Sequence, residues 1–280
     1  MVTQFNQILE GTSGKPIVYD VYDPKIEKLE QIVIFCHGYK GFKDWGAWHL
    51  VAETFAAAGI GFVKFNFSHN GGTAEQPIDF PDLEAFGQNN YIKELDDLAS
   101  VIDAISNGTI AFANKTDKCK LTLIGHSRGG GIVLIKTAED SRVHKVITWA
   151  GVSDYASRYP SGQALEEWRR TGVAYVENGR TKQQMPHYFQ FYTTFFENEE
   201  RLTIRRAIRS IDKPILIIHG TEDPTVSIEE AYQLHDWNPR SAFYTLPTDH
   251  VFDARHPWET ITMPDALQKV VARSIEFVKR

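Results

Sequence analysis

Along this chain, apolar and polar positions follow two rhythms, and their alternation predicts the elements. Over residues 15–23 (K-P-I-V-Y-D-V-Y-D) apolar and polar side chains alternate with period two, which predicts a half-exposed, antiparallel edge strand stopped by Pro24. Residues 31–37 (Q-I-V-I-F-C-H) are almost continuously apolar, the pattern of a strand covered on both faces, and Gly38 ends it. The loop Y-K-G-F-K-D-W-G leads into a helix over 48–58, and 60–67 (I-G-F-V-K-F-N-F) is the next strand, closed by the polar turn S-H-N-G-G-T. A long loop holding Pro77 and Pro81 follows. Helical spacing then resumes near Asn90, with Ile92, Leu95, Leu98, Val101, Ile102 and Ile105 on one face. Leu121, Leu123 and Ile124 mark a short buried strand, 132–138 continue as a helix, and 145–150 (K-V-I-T-W-A) form another buried strand.

Strands and helices alternating in this way predict an α/β protein with a mostly parallel central sheet flanked by helices. The rhythm breaks between 151 and 212, where several helix-like pieces rich in aromatic, Arg and Glu residues appear without a strong strand. It resumes with a strand at 214–219, a helix near 227–236, a last strand at 242–246 and an amphipathic helix over 265–279. We therefore read one domain over residues 1–280, with a core of 1–152 and 213–280 and an insertion over about 153–212. Neither repeats nor low-complexity stretches interrupt it.

Composition narrows the function classes. Of the 280 residues, 42% are hydrophobic and 24% charged, ordinary values for a chain that can bury a sizeable core. The formal net charge of −6, without a Lys/Arg block, argues against nucleic acid as a partner. No apolar run approaches membrane-spanning length, so no membrane partner is expected either. The start M-V-T-Q-F-N-Q-I-L-E-G lacks the basic and apolar regions of a secretory leader, and Cys36 and Cys119 make no disulfide framework. A cytoplasmic, reduced protein is the expectation. The histidines lack H-x-x-x-H or H-x-H spacing, the cysteines are not in C-x-x-C, and no G-x-G-x-x-G follows a strand, so neither metal nor dinucleotide cofactor is predicted.

The candidate chemistry centres on L-T-L-I-G-H-S-R-G-G-G-I, residues 121–132. It carries G-x-S-x-G between a strand and a helix, the context in which a serine sits on a sharp, strained turn with its hydroxyl exposed. The alternative is a glycine-rich helix start where Ser127 only caps. A serine hydroxyl needs a base, and the base needs a group that orients it. Asp223, in H-G-T-E-D-P-T-V after the 214–219 strand, and His250, in L-P-T-D-H-V-F after the last strand, follow in the order Ser, acid, His at the carboxyl ends of strands. Glu222 and Asp249 are weaker candidates for the acid, since the turn into Pro224 points Asp223 inward and adjacent loop residues usually diverge. His126 and His219 read as structural histidines. An oxyanion would take backbone N–H groups from Arg128, after the nucleophile, and from Tyr39 in H-G-Y-K-G-F, where Gly38 permits close approach.

These segments (H-G-Y-K-G-F-K-D-W, F-N-F-S-H-N-G, G-H-S-R-G-G, H-G-T-E-D-P-T-V and D-H-V-F) resemble the α/β-hydrolase fold superfamily over nearly the full chain. Within it, the chain is similar to serine esterases of the dienelactone-hydrolase and cinnamoyl (feruloyl) esterase type and to the catalytic domains of prolyl-oligopeptidase-like peptidases. The resemblance implies Ser127 as nucleophile, Asp223 as acid, His250 as base and Tyr39 and Arg128 as oxyanion donors, without a cofactor. It departs from dienelactone hydrolases proper, which carry cysteine where this chain has Ser127. In this superfamily an insertion at 153–212 commonly forms a helical lid. Its aromatic residues, Tyr155, Trp168, Tyr188 and Tyr192 among them, together with Trp45 and the His69–Asn70 loop, are candidates to line an apolar acyl pocket. The expectation is a carboxylesterase, monomer or homodimer, acting on a small-molecule ester with an apolar or aromatic acyl group. A peptidase or amidase using the same triad is the alternative, and a non-catalytic binding module the third reading.

Overall fold

The computed structural model describes residues 1–280. Its strands are β1 (Val2–Glu10), β2 (Pro16–Asp23), β3 (Leu29–Cys36), β4 (Gly61–Phe65), β5 (Lys115–His126), β6 (Val143–Trp149), β7 (Val173–Glu177), β8 (Gln184–Tyr188), β9 (Ile215–Gly220) and β10 (Ala242–Leu246). Eight of them form one sheet in the order β1-β2-β4-β3-β5-β6-β9-β10. β1 and β2 are antiparallel to their neighbours, and every pairing from β4 to β10 is parallel.

The helices are α1 (Trp48–Ala57), α2 (Leu83–Gly87), α3 (Tyr91–Asn107), α4 (Arg128–Glu139), α5 (Gly162–Thr171), α6 (Gln190–Glu197), α7 (Glu199–Leu202), α8 (Ile204–Ser210), α9 (Ile228–Trp237) and α10 (Asp265–Lys279). Capping sets α3 as its sequence suggests. The Asn90 side chain accepts from Lys93 N at 3.0 Å, and Gly108 closes the helix in the left-handed conformation at φ 84°.

The continuous apolar runs arise because both sheet faces are covered. Along β3, Ile32, Ile34 and Cys36 pack on the side of α3, α4, α8 and α9, while Val33 and Phe35 pack with α1 and α10. The same alternation runs through β9, with Ile215 and Ile217 on the first side and Leu216 and Ile218 on the second. No helix is long and apolar enough to cross a membrane.

Two elements differ from the sequence reading. β2 is not the edge: β1 pairs along it and takes that position, through a register irregularity between Gln4 and Gln7, leaving Phe5 and Ile8 exposed. The polar residues of β2 misled because they are buried with partners. Asp20 is fully buried between the ammonium groups of Lys43 and Lys64, at 2.9 and 2.8 Å. The segment between β6 and β9 holds α5 to α8, as the helix-like pieces suggested, but also an antiparallel hairpin in which β7 pairs β8 from Val173↔Tyr188 to Glu177↔Gln184. These strands are partly exposed and lack an apolar run, so periodicity did not reveal them.

Candidate active site

Ser127 lies in a one-residue turn between β5 and α4, with φ 55° and ψ −121°. This is a strained conformation for a residue with a side chain, and the surrounding backbone enforces it. Ser127 N donates to Trp149 O at 2.9 Å, and Ser127 O accepts from Gly130 N at 2.9 Å and Val152 N at 3.2 Å. The turn is tight enough to demand glycine on both flanks. A Cβ on Gly125 would stand 2.2 Å from Gly129 O, and one on Gly129 would stand 2.6 Å from His37 O. The serine side chain makes no capping bond to the helix start, which separates it from a plain N-cap.

Its hydroxyl turns to a histidine. Ser127 Oγ donates to His250 Nε2 at 2.9 Å, and His250 Nδ1 donates to Asp223 Oδ2 at 2.7 Å. The Asp223 side chain is fully buried. Its other oxygen accepts from Thr225 N at 2.8 Å and Val226 N at 2.9 Å. Burial alone would push this carboxyl up, but hydrogen bonds from His219, His250 and Val226 N outweigh it and hold the group well below the usual carboxylate range. Asp223 is therefore an anion that fixes which His250 nitrogen carries the proton.

The neighbouring acids and histidines take other roles. Asp249 Oδ1 accepts from Val251 N and Asp253 N, each at 3.0 Å, and so shapes its own turn. Glu222 is exposed. His126 Nε2 donates to the backbone carbonyl of His250 at 2.9 Å, and burial followed by the neighbouring His250 lowers its pKa to about 3, so it stays neutral. His219 Nε2 donates to Val226 O at 2.8 Å and lies 3.3 Å from Asp223 Oδ2.

The loop after β3 closes on Ser127 from the other side. A Cβ on Gly38 would come within 2.8 Å of the Ser127 Cβ, so glycine there lets the backbone approach. Tyr39 N has no acceptor among the turn and loop hydrogen bonds, and Arg128 N opens α4, where first-turn N–H groups lack partners inside the helix. The loop rests on polar groups from the end of β4: Lys43 N donates to Asn66 Oδ1 at 2.6 Å, and Asn70 Nδ2 donates to Gly41 O at 3.2 Å. The Arg128 side chain is an anchor. It pairs with buried Glu94 and lies 5.2, 5.4 and 5.8 Å from the ring centres of Tyr39, Tyr91 and Phe191. Tyr39 OH donates to His187 Nε2 of β8 at 2.7 Å. His187 is neutral, its pKa lowered to about 4 by burial and by Arg128 and Lys40.

A cavity of about 280 Å³ opens beside Ser127 and His250. Of the substrate-binding candidates, Trp45 lines this cavity, and His69, Tyr155, Trp168, Tyr188 and Tyr192 lie outside its lining. His69 is buried, with Ser68 Oγ 2.8 Å from its Nδ1. The insertion aromatics serve packing instead. Tyr155 stacks on Tyr91 with ring centres 3.9 Å apart and donates to Arg128 O at 2.8 Å. Trp168 Nε1 donates to His187 O at 2.7 Å, Tyr188 OH bonds Glu84, and Tyr192 packs on Phe196 at 4.4 Å. Large rings contribute most when buried, as Tyr155 and Trp168 are, while Tyr188 and Tyr192 stay half-buried. The cavity wall instead takes Lys40, Trp48, Asn178, Arg180 and His256, which sequence reasoning missed. A signal existed for two of them, since Asn178-Gly179 is a hairpin-turn dipeptide between β7 and β8.

Comparison with known proteins gives the family of the chain. The chain is 28% identical over 120 residues to the uncharacterized peptidase YtmA of Bacillus subtilis, covering 42% of this chain and 41% of that one. It is 28% identical over 131 residues to a monoacylglycerol lipase of Mycolicibacterium smegmatis, covering 47% and 40%. The match thus spans about two fifths of the length of these curated relatives. The structure of Est1E from Butyrivibrio proteoclasticus with bound ferulic acid superposes with a TM-score of 0.69 at 19% identity, over 98% of both chains. The sequence pattern of the alpha/beta hydrolase family matches residues 33–270, a span that takes in the turn at Ser127 and the two loops that carry Asp223 and His250. The chain belongs to the alpha/beta hydrolase family.

Proposed function

We propose that this protein is a serine carboxylesterase that cleaves small esters through an acyl-enzyme. The observation that carries the proposal is the hydrogen-bonded chain from Ser127 through His250 to Asp223, at 2.9 and 2.7 Å, opening on a cavity. His250 takes the Ser127 proton as Oγ attacks the ester carbonyl, and the imidazolium is stabilised by anionic Asp223. The carbonyl oxygen becomes an oxyanion, for which Tyr39 N and Arg128 N are the donors. Collapse expels the alcohol, which takes the proton back from His250 and leaves Ser127 acylated. Water then attacks, again giving its proton to His250, and the acid departs as Ser127 recovers its hydrogen.

The size of the cavity favours this reading over a peptidase on the same groups. About 280 Å³ lies just below the usual range for ligand sites, which suits a short acyl group better than a peptide segment. Trp45 and Trp48, with ring centres 5.9 Å apart, offer the apolar or aromatic surface for it. Two measurements test the proposal. A fluorophosphonate should label Ser127 in the folded protein. A panel of acetyl, butyryl, octanoyl and hydroxycinnamoyl esters beside aminoacyl amides should show turnover concentrated among the smaller esters. Faster cleavage of the amides would transfer the assignment to the peptidase reading.

A further inference from the structure

The charge of the cavity wall is unlike that of the molecule. The chain carries a formal net charge of −6, yet the formally charged side chains lining the cavity are Lys40 and Arg180, and no Asp or Glu lines it. Arg180, from the tip of the β7–β8 hairpin, is already engaged by Asp79. Lys40 is not engaged: it forms no ion pair, and its Nζ stands 5.2 Å from the centre of the Tyr39 ring. Its backbone lies in the left-handed region at φ 52°. Burial lowers the Lys40 pKa, in the direction expected of an ammonium that has lost part of its water. A half-buried cation with no anion costs stability, and a ligand that brings the anion recovers it.

We propose that the site selects esters whose acyl part ends in a carboxylate, such as half-esters of short dicarboxylic acids, with Lys40 as the recognising cation and Arg180 as a secondary one. The proposal rests on the esterase reading above. Lys40 directly follows Tyr39, the assigned donor to the acyl oxygen, and lines the same cavity as Ser127, so a carboxylate at the end of the acyl part is the anion taken to meet it. Trp45 and Trp48 then flank the methylene chain between the two ends. The small volume excludes a long acyl chain, so the carboxylate must come within a few carbons of the ester.

Monoethyl adipate and ethyl hexanoate share chain length and differ in the terminal carboxylate, and their hydrolysis can be followed by proton release. The wild-type kcat/KM ratio of adipate to hexanoate should exceed about tenfold at low ionic strength, as expected for a charge-assisted contact. It should fall in ~0.5 M salt, less than a fully exposed pair would because the cation is half-buried. Lys40→Gln should lower that ratio about tenfold and Lys40→Glu further, while Arg180→Gln lowers it by a smaller factor. A wild-type ratio at or below one would overturn the proposal. So would a ratio that neither salt nor the Lys40 and Arg180 variants change. Wild-type protein labelled at Ser127 by a fluorophosphonate that hydrolyses neither ester would overturn it too. Absence of labelling would bring down the esterase reading itself.

Discussion

Ser127, Asp223 and His250 each follow a strand of the eight-stranded sheet, whereas Asn178 and Arg180 reach the same cavity from a hairpin that pairs with no strand of that sheet. The first group is held by backbone. Ser127 is fixed by bonds to Trp149, Gly130 and Val152, and Asp223 by the N–H groups of Thr225 and Val226. The hairpin of the second group is closed on itself by backbone pairs, but side chains tie it to the rest of the molecule: Arg180 on Asp79, Gln183 on Phe80 O and Tyr39 on His187. Backbone contacts survive most substitutions and side-chain contacts do not. The proposed reacting groups are therefore placed where sequence drift moves them least, and the proposed selecting wall where a few changes can remodel it.

The strongest way to sharpen this contrast is to remove the centre of the rigid half. Ser127→Ala should lower kcat on a chromogenic ester by roughly four or more orders of magnitude, because triad members act as a unit. His250→Ala should do nearly the same, and the double variant should be little worse than either. Retained turnover in Ser127→Ala would remove the nucleophile assignment.

The joint between the halves is the next target. Glu94 on α3 carries the Arg128 side chain, which in turn sits among Tyr39, Tyr91 and Phe191. Glu94→Ala leaves a buried guanidinium without its anion, and stability by chemical denaturation should fall by about 3–5 kcal/mol. Replacing both partners, as in Glu94→Leu with Arg128→Met, should recover much of that loss. If the single and double variants are equally unstable, the pair is not what holds the joint.

What was legible in the sequence follows the same division. The Ser127 turn, the order of Asp223 and His250, and the central strands could be read because each rests on a local rule: a strained strand-to-helix turn, an acid or base after a strand, and apolar runs where both faces are covered. The G-H-S-R-G motif gained most from the structure. Its serine makes no cap, and its arginine side chain proves to be an anchor on Glu94 that lies away from the cavity lining. The cavity wall was not legible because it depends on contacts far apart in the chain. Tyr155, Trp168, Tyr188 and Tyr192 looked like pocket residues by type, yet each finds a packing partner or hydrogen bond elsewhere. Lys40 lay inside a recognised loop, but nothing local announced that it would lack an ion-pair partner. The buried β2 was misread for a related reason, since the partners of Asp20, Lys43 and Lys64, are 23 and 44 positions away (43 − 20 and 64 − 20).

The selecting half should respond more mildly to surgery. Shortening the hairpin by replacing residues 178–183 with a two-residue Asn-Gly turn removes Asn178 in its present place and Arg180 altogether. The variant should raise KM for the preferred ester by about 10-fold to 100-fold, with a smaller fall in kcat, since ground-state and transition-state binding are lost together. Labelling of Ser127 should persist. A collapse of labelling would mean that the hairpin supports the rigid half and that the two halves are not separable.

The mildest effect concerns a proton. His187 accepts the Tyr39 hydroxyl across the joint and is held neutral, with a pKa lowered to about 4. An unfolded histidine binds its proton near pH 6.5, so between these values the unfolded state binds more protons and stability rises with pH. The contribution is present above about pH 6.5 and is lost as pH falls toward 4. His37 and His126, lowered to about 4 and about 3, act in the same direction from the rigid half. His187→Gln keeps an acceptor for Tyr39 while removing the titration. Between pH 7 and pH 5 it should therefore lose on the order of 1 kcal/mol less stability than the wild type. A variant whose stability falls with pH as steeply as the wild type would show that His187 is already charged in the folded protein. Because the joint depends on a neutral imidazole facing Arg128 and Lys40, acid should loosen the hairpin half before it disturbs Asp223, whose hydrogen bonds keep it ionised well below that range.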